Sequence, residues 1–282
     1  MPPSIQEIEK TAYQIRKEIV RMTHKAQSGH PGGSLSAIDL LACLFMSEMK
    51  QDPANPDWEE RDRFVLSKGH ASPALYGILA FEGYFPKEEL MTFRQIGSRL
   101  QGHPERLMLP GVEITTGSLG QGLSVANGMA LGLKLRGLSS RVYCLIGDGE
   151  LQEGQVWEAI QSSAHRKSDN LCAILDRNRL QIDGEVEQIK KEEPIQEKLK
   201  AFGWNVIRIN GHKYREILKA FALARETKDR PTFIIADTVK GKGVSFMENN
   251  VDFHGKAAND SECQKALDEL DSHLHKIEKR KK

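Results

Sequence analysis

The chain has 282 residues, long enough to bury the core of one large α/β domain. Its 40 Lys and Arg nearly balance 39 Asp and Glu, so no global charge excess recruits nucleic acid or an anionic membrane. The longest apolar run, Leu40 to Met46, is far too short to span a bilayer, and the amino terminus lacks a charged segment followed by an apolar one. Cys43, Cys144, Cys172 and Cys263 show no paired spacing, which predicts buried free thiols in a reducing compartment and a soluble, cytoplasmic protein.

In chain order, residues 5 to 26 carry Ile8, Ala12, Ile15, Ile19 and Met22 at helical spacing. A tight loop, Ser28-Gly29-His30-Pro31-Gly32-Gly33-Ser34, follows, and Ser34 or Ser36 is expected to cap an apolar helix reaching about Glu48. Phe64 to Ser67 reads as a short buried strand ending at Lys68-Gly69-His70, and 71 to 82 as a helix with Pro73 in its first turn. Residues 83 to 116 lack periodicity and read as a functional loop, before a helix from Leu123 to Leu135 dotted with Ala and Gly. Two apolar runs, Val142 to Ile146 and Leu171 to Leu175, flank helix-period residues from Leu151 to Ile160. Strands at 205 to 209 and 232 to 237 bracket a helix from Tyr214 to Glu226, a flexible loop covers 240 to 255, and a terminal helix is expected over 257 to 280. Alternating strands and helices predict a doubly wound, mostly parallel α/β sheet flanked by helices, with residues 1 to 282 as a single domain.

In such a sheet the two central strands end on the same edge, which makes Asp148 and Asn178 neighbours. One carboxylate, one amide oxygen and a main-chain carbonyl fill half an octahedral Mg²⁺ shell, and the glycines beside Asp148 admit a diphosphate. Taken alone, Gly147-Asp148-Gly149 fits an ordinary turn as well. Five of the nine histidines, His30, His70, His103, His212 and His254, adjoin glycine in loop-like segments. Imidazoles grouped around a diphosphate and a sugar can bind hydroxyls and shuttle protons near neutral pH.

Gly147-Asp148-Gly149 with Asn178 resembles the thiamine diphosphate fingerprint. Ser28 to Gly32, Lys68-Gly69-His70, Gly102-His103-Pro104-Glu105 and Gly117 to Gly122 resemble transketolase in the same order. Two departures stand out: Arg177 replaces the first of the usual two asparagines, and Ser118 replaces a usual proline.

The resemblance implies a thiamine diphosphate-binding fold and specific roles. Asp148, Asn178 and the Leu180 carbonyl would bind Mg²⁺, with Ca²⁺ possible; His70, Gly149, His254 and the loop Gly117, Ser118, Leu119 would hold thiamine diphosphate; and His30, His103 and His254 would face the sugar. Glu153 matches a position at the subunit contact, while His212 carries no implied role. The activating glutamate of such enzymes comes from a second, pyrimidine-binding domain, and neither it nor the family's carboxy-terminal domain is expected in this sequence. The implied function is that of a transketolase amino-terminal subunit. It would act with a separate carboxy-terminal chain, in a two-plus-two heterotetramer, to move a two-carbon ketol unit between sugar phosphates. Half of a dihydroxyacetone synthase or 1-deoxyxylulose 5-phosphate synthase is an alternative, as is a non-catalytic cofactor-binding subunit.

Overall fold

The computed structural model describes residues 2–280. The chain opens with helix α1 (Ile5–Ala26), whose Ser4 and Glu7 form a reciprocal cap at its start. The five apolar residues expected on one face are all fully buried, and so is Arg16, which the pattern places among them as a charge. Helix α2 (Pro31–Cys43) is apolar all round and buried throughout, and one wide helical turn, Leu44–Glu48, extends it.

The serine cap expected at this helix does not form. Pro31 occupies the first helical position, where its fixed φ suits a turn with no amide to satisfy, and His30 is the capping residue without a side-chain bond. Ser34 instead bonds the His30 carbonyl at 2.8 Å and Ser36 the Gly33 carbonyl at 3.1 Å.

Strand β1 (Arg63–Leu66) leads into helix α3 (Ser72–Glu82). The 83 to 116 segment is a loop relieved only by a 3₁₀ turn at Lys87–Thr92, and helix α4 (Gln121–Leu135) follows. Strand β2 (Val142–Gly147) runs directly into the short helix α5 (Asp148–Leu151), and α6 (Gly154–His165) begins after a break at Gln152 and Glu153. The single helical run expected there is therefore two helices, and Glu150 caps the start of the first by accepting from the Gly147 amide at 3.1 Å.

Strand β3 (Leu171–Arg177) continues two residues past its expected end, where Asp176 pairs with the buried Lys68 and Arg177 with Asp237. A hairpin of β4 (Leu180–Gln181) and β5 (Gly184–Glu185), then α7 (Val186–Ile189) and α8 (Ile195–Ala201), carry no expectation from the sequence. Strand β6 (Asn205–Asn210), helix α9 (Tyr214–Glu226), strand β7 (Thr232–Asp237) and helix α10 (Asp260–Lys279) complete the described chain.

The main sheet is wholly parallel, in the order β1-β2-β3-β7-β6. Its inner strands are buried on both faces, so they read as unbroken apolar runs. Alternate residues feed two cores. Leu66, Tyr143, Leu145, Ile174 and Ile234 pack under α1, α2, α3, α9 and α10, while Val65, Cys144, Ile146, Leu175 and Ile235 pack under α4, α6 and α8. All four cysteines are free and buried. Among the described residues no helix is long and apolar enough to cross a membrane.

Candidate active site

In a parallel sheet every strand delivers its following loop to the same edge. Strand β1 delivers Lys68 and His70, β2 delivers Asp148 and Gly149, β3 delivers Asn178 and Leu180, and β7 delivers Lys240. Together with His30, His103, His254 and the loop at Gly117 and Leu119, they line a cavity of about 340 Å³. Of the residues expected at a site, all but Ser118 line it; Ser118 lies between two that do. His212 stands apart from this cavity.

Close backbone approach builds the wall. A Cβ on Gly69 would meet the Thr116 hydroxyl at 2.7 Å and the Gly117 amide nitrogen at 2.8 Å, so only glycine lets these two loops touch.

Asp148 is buried, and its Oδ2 accepts from the Arg179 amide while its Oδ1 has no partner among the described residues. Burial pushes its carboxyl up to about 7. Asn178 Oδ1 accepts from the Leu180 amide at 3.1 Å. One carboxylate oxygen left bare, beside an amide oxygen and a main-chain carbonyl, is a donor set for a hard divalent cation. Such a cation needs no cluster of His, Cys, Asp and Glu, and none of three or more is present among the described residues.

The four imidazoles form one group. The His30 ring centre lies 5.3 Å from His70, 6.2 Å from His103 and 5.5 Å from His254, and His70 is 5.2 Å from His254. Burial, and then neighbouring cations, lower the basicity of all four. His30 falls to about 4, with Arg94 contributing, and His254 to about 3, with Lys240 contributing. All four rings are therefore neutral near pH 7. The Lys240 ammonium lies 2.9 Å from His254 Nδ1; because an ammonium donates, Nδ1 accepts and Nε2 carries the hydrogen.

Three contributors had no expectation from the sequence. Lys68, about 1% exposed, donates to the Gly33 carbonyl at 2.9 Å and pairs with the fully buried Asp176. Lys240, about 2% exposed, is reduced by burial to about 8 and still charged at pH 7. Glu150 accepts from the Gly120 amide at 3.0 Å, the Gly147 amide at 3.1 Å and the Ser67 hydroxyl, which ties the glycine loop to both strand ends. Its place two residues after Asp148 was the one signal that could have found it. Glu153 is exposed at the start of α6, with its Cβ against Gly120.

Residues 8–277 match the family described as "Transketolase, thiamine diphosphate binding domain". The chain is 45% identical over 257 residues to the 6-deoxy-6-sulfo-D-fructose transketolase subunit SqwG of a Clostridium species, covering 91% of this chain and 94% of that protein. It is 39% identical to an apulose-4-phosphate transketolase subunit of Phocaeicola vulgatus, over 98% of each chain. The crystal structure of transketolase from Campylobacter jejuni superposes with a TM-score of 0.91 at 39% identity, covering 95% of this chain and 43% of that one. The motifs on the strand ends, the cavity they enclose and the match along nearly the whole chain agree: this protein belongs to the transketolase family, as its thiamine diphosphate-binding domain.

Proposed function

We propose that this chain is the cofactor-holding subunit of a two-chain transketolase. With a partner carrying the pyrimidine-binding domain and the activating glutamate, it transfers a two-carbon ketol unit from a ketose phosphate to an aldose phosphate. Residues 1 to 282 then form one diphosphate-binding domain of a cytoplasmic two-plus-two assembly. The observation that carries the reading is one cavity joining the bare oxygen of Asp148 to a group of neutral imidazoles. The partner is supported by two relatives named as subunits, which this chain matches over 94% and 98% of their lengths.

In this reading Asp148, Asn178 and the Leu180 carbonyl would hold Mg²⁺, or Ca²⁺, whose charge would help bind the diphosphate. Lys240, His70, His254 and Gly149 face the phosphates, and Gly117, Ser118 and Leu119 border the rest of the cofactor. Bound there, thiamine diphosphate supplies a nucleophilic thiazolium carbon that accepts the two-carbon unit. The chain's own work is binding and proton placement. His30 and His103 are neutral, so each ring offers one donor and one acceptor to the sugar hydroxyls. His254, with Nδ1 taken by Lys240, offers its Nε2–H.

The test is a coupled assay of ketol transfer from xylulose 5-phosphate to ribose 5-phosphate, with Mg²⁺ and thiamine diphosphate, with and without the partner chain. Activity only with the partner, abolished by Asp148→Ala and cut at least a hundredfold by His30→Ala, is the expected result. A paired complex that binds the cofactor and transfers nothing from any ketose phosphate overturns the reading.

The names of those two relatives favour a second reading of the substrate, a sulfonated or otherwise modified sugar. The donor panel therefore includes 6-deoxy-6-sulfo-D-fructose and apulose 4-phosphate.

A further inference from the structure

His212 lies in the turn after β6, and both of its ring nitrogens are engaged. Nδ1 is 2.7 Å from Asp39 Oδ2, and Nε2 is 2.8 Å from the Val239 amide nitrogen. An amide can only donate, so Nε2 bears the lone pair and Nδ1 the hydrogen. Asp39, on α2, also accepts two bonds from Arg16 at 2.9 and 2.7 Å and one from the Tyr214 hydroxyl. Burial alone would raise the Asp39 carboxyl, but the Arg16 guanidinium and the His212 bond hold it well below the usual range. The acceptor under the ring is thus permanently ionised, which fixes both the tautomer and the orientation of His212.

What the ring holds in place is the main chain one residue before Lys240. Arg16 Nε pins the same segment at the Lys242 carbonyl, at 3.0 Å, and the Gly241 amide bonds the Gly32 carbonyl at 3.0 Å. From this clamped backbone the Lys240 ammonium reaches His254 Nδ1 at 2.9 Å and the Leu180 carbonyl at 3.4 Å. Neither Asp39 nor His212 lines the cavity, yet both govern where two of its contacts stand.

We propose that His212 is a positioning residue for the thiamine diphosphate site. Locked by Asp39, it holds the Val239–Lys240 backbone so that Lys240 faces the diphosphate and fixes the tautomer of His254. This rests on the reading of Lys240 and His254 as cofactor-facing groups.

Two substitutions divide the ring's bonds. In His212→Gln the side-chain oxygen reaches the Nε2 place and can accept from Val239, while Asp39 keeps Arg16 and Tyr214. In His212→Asn the amide hydrogen stays near the Nδ1 place and serves Asp39, and the Val239 amide loses its acceptor. Both variants and the wild type, each in complex with the partner chain, are compared in thermal midpoint, hydrogen–deuterium exchange of residues 238 to 243, and thiamine diphosphate affinity at fixed Mg²⁺.

The expected result is that Gln leaves exchange protected and affinity within about threefold, whereas Asn speeds exchange and weakens affinity roughly tenfold, at similar thermal midpoints. Equal affinity losses that track the thermal midpoint, or faster exchange in Asn with unchanged affinity, overturn the proposal. Exchange does not depend on catalysis. A complex showing the exchange difference but no ketol transfer would defeat the transketolase reading alone, and transfer without the exchange difference would defeat the positioning role alone.

Discussion

Replacing Arg16 by methionine removes the cation from a buried ion pair under α2. Arg16 is fully buried and gives Asp39 two hydrogen bonds, with a third to the Lys242 carbonyl. Without it, Asp39 retains only the His212 and Tyr214 donors in a site about 3% exposed. Breaking a buried pair from one side costs about 3–5 kcal/mol, because the remaining charge is uncompensated. For a chain of this size that lowers the thermal midpoint by roughly 10 °C.

The pH dependence carries a sign. In the wild type the folded Asp39 ionises below its ordinary value of 3.8, so its contribution is present above that pH and lost on acidification. In Arg16→Met burial is offset only by the hydrogen bonds from His212 and Tyr214, so the folded carboxyl is expected to titrate above 3.8 and stability to fall as pH rises through that range. The deficit against wild type therefore widens from pH 4 towards pH 7. Thermal and urea unfolding followed by circular dichroism measure it. A deficit below about 1 kcal/mol, or one that is flat between pH 4 and 8, would refute the reasoning. Adding Asp39→Asn to the variant is expected to restore part of the loss, since no orphaned charge then remains.

Three further outcomes follow from the site. Glu150→Gln replaces one carboxylate oxygen by an N–H₂ group, which then faces the Gly147 amide if the remaining oxygen keeps Gly120 and Ser67, so unfolding should show a loss of about 2 kcal/mol, and calorimetry weaker cofactor binding. Lys240→Met should weaken thiamine diphosphate binding tenfold to a hundredfold while leaving thiamine itself unaffected, in equilibrium titrations of the paired complex. His30 and His254 bind protons near 6.5 when unfolded but only at about 4 and 3 when folded. The unfolded state therefore holds more protons in between, and the thermal midpoint should fall on acidification below pH 6.5 more steeply than in a His30→Asn/His254→Asn double variant.

The strands and most helices were legible because their signals are local. Leu171 to Leu175 is an apolar run because both faces of β3 are covered, and Tyr214 to Glu226 shows its amphipathic period directly. The order of the strands on one edge follows from parallel connectivity, which brings Asp148 and Asn178 together. Lys240 was hidden because Lys-Gly-Lys-Gly reads as a mobile, solvated loop; its burial is created by α2 and the turn at Val251–His254 packing over it. Arg16, Asp39 and His212 come from three distant parts of the chain, and nothing near any of them in sequence announces the other two. The hairpin at 180 to 185 was missed because each of its strands has only two residues, too few to show alternation.

The distribution of charge in the cavity divides the labour among its side chains. The imidazoles are held neutral by burial and by nearby cations, so they do not supply the positive charge a diphosphate requires. Lys68 is neutralised by Asp176, which the Ser36 and Thr238 hydroxyls also engage, so its ammonium belongs to the scaffold. Among the described residues that leaves Lys240 as the ammonium free of a carboxylate on the cavity wall, with the divalent ion at Asp148 as the other positive charge in the proposed site. In the proposed function a diphosphate held by one ammonium and one metal ion would be fixed at two points, which would leave His30 and His103 free for uncharged hydroxyls. In that reading the depth at which Lys240 is set would decide both cofactor affinity and the tautomer of His254, and Arg16, Asp39 and His212, which do not line the cavity, would act on it through a single segment of backbone.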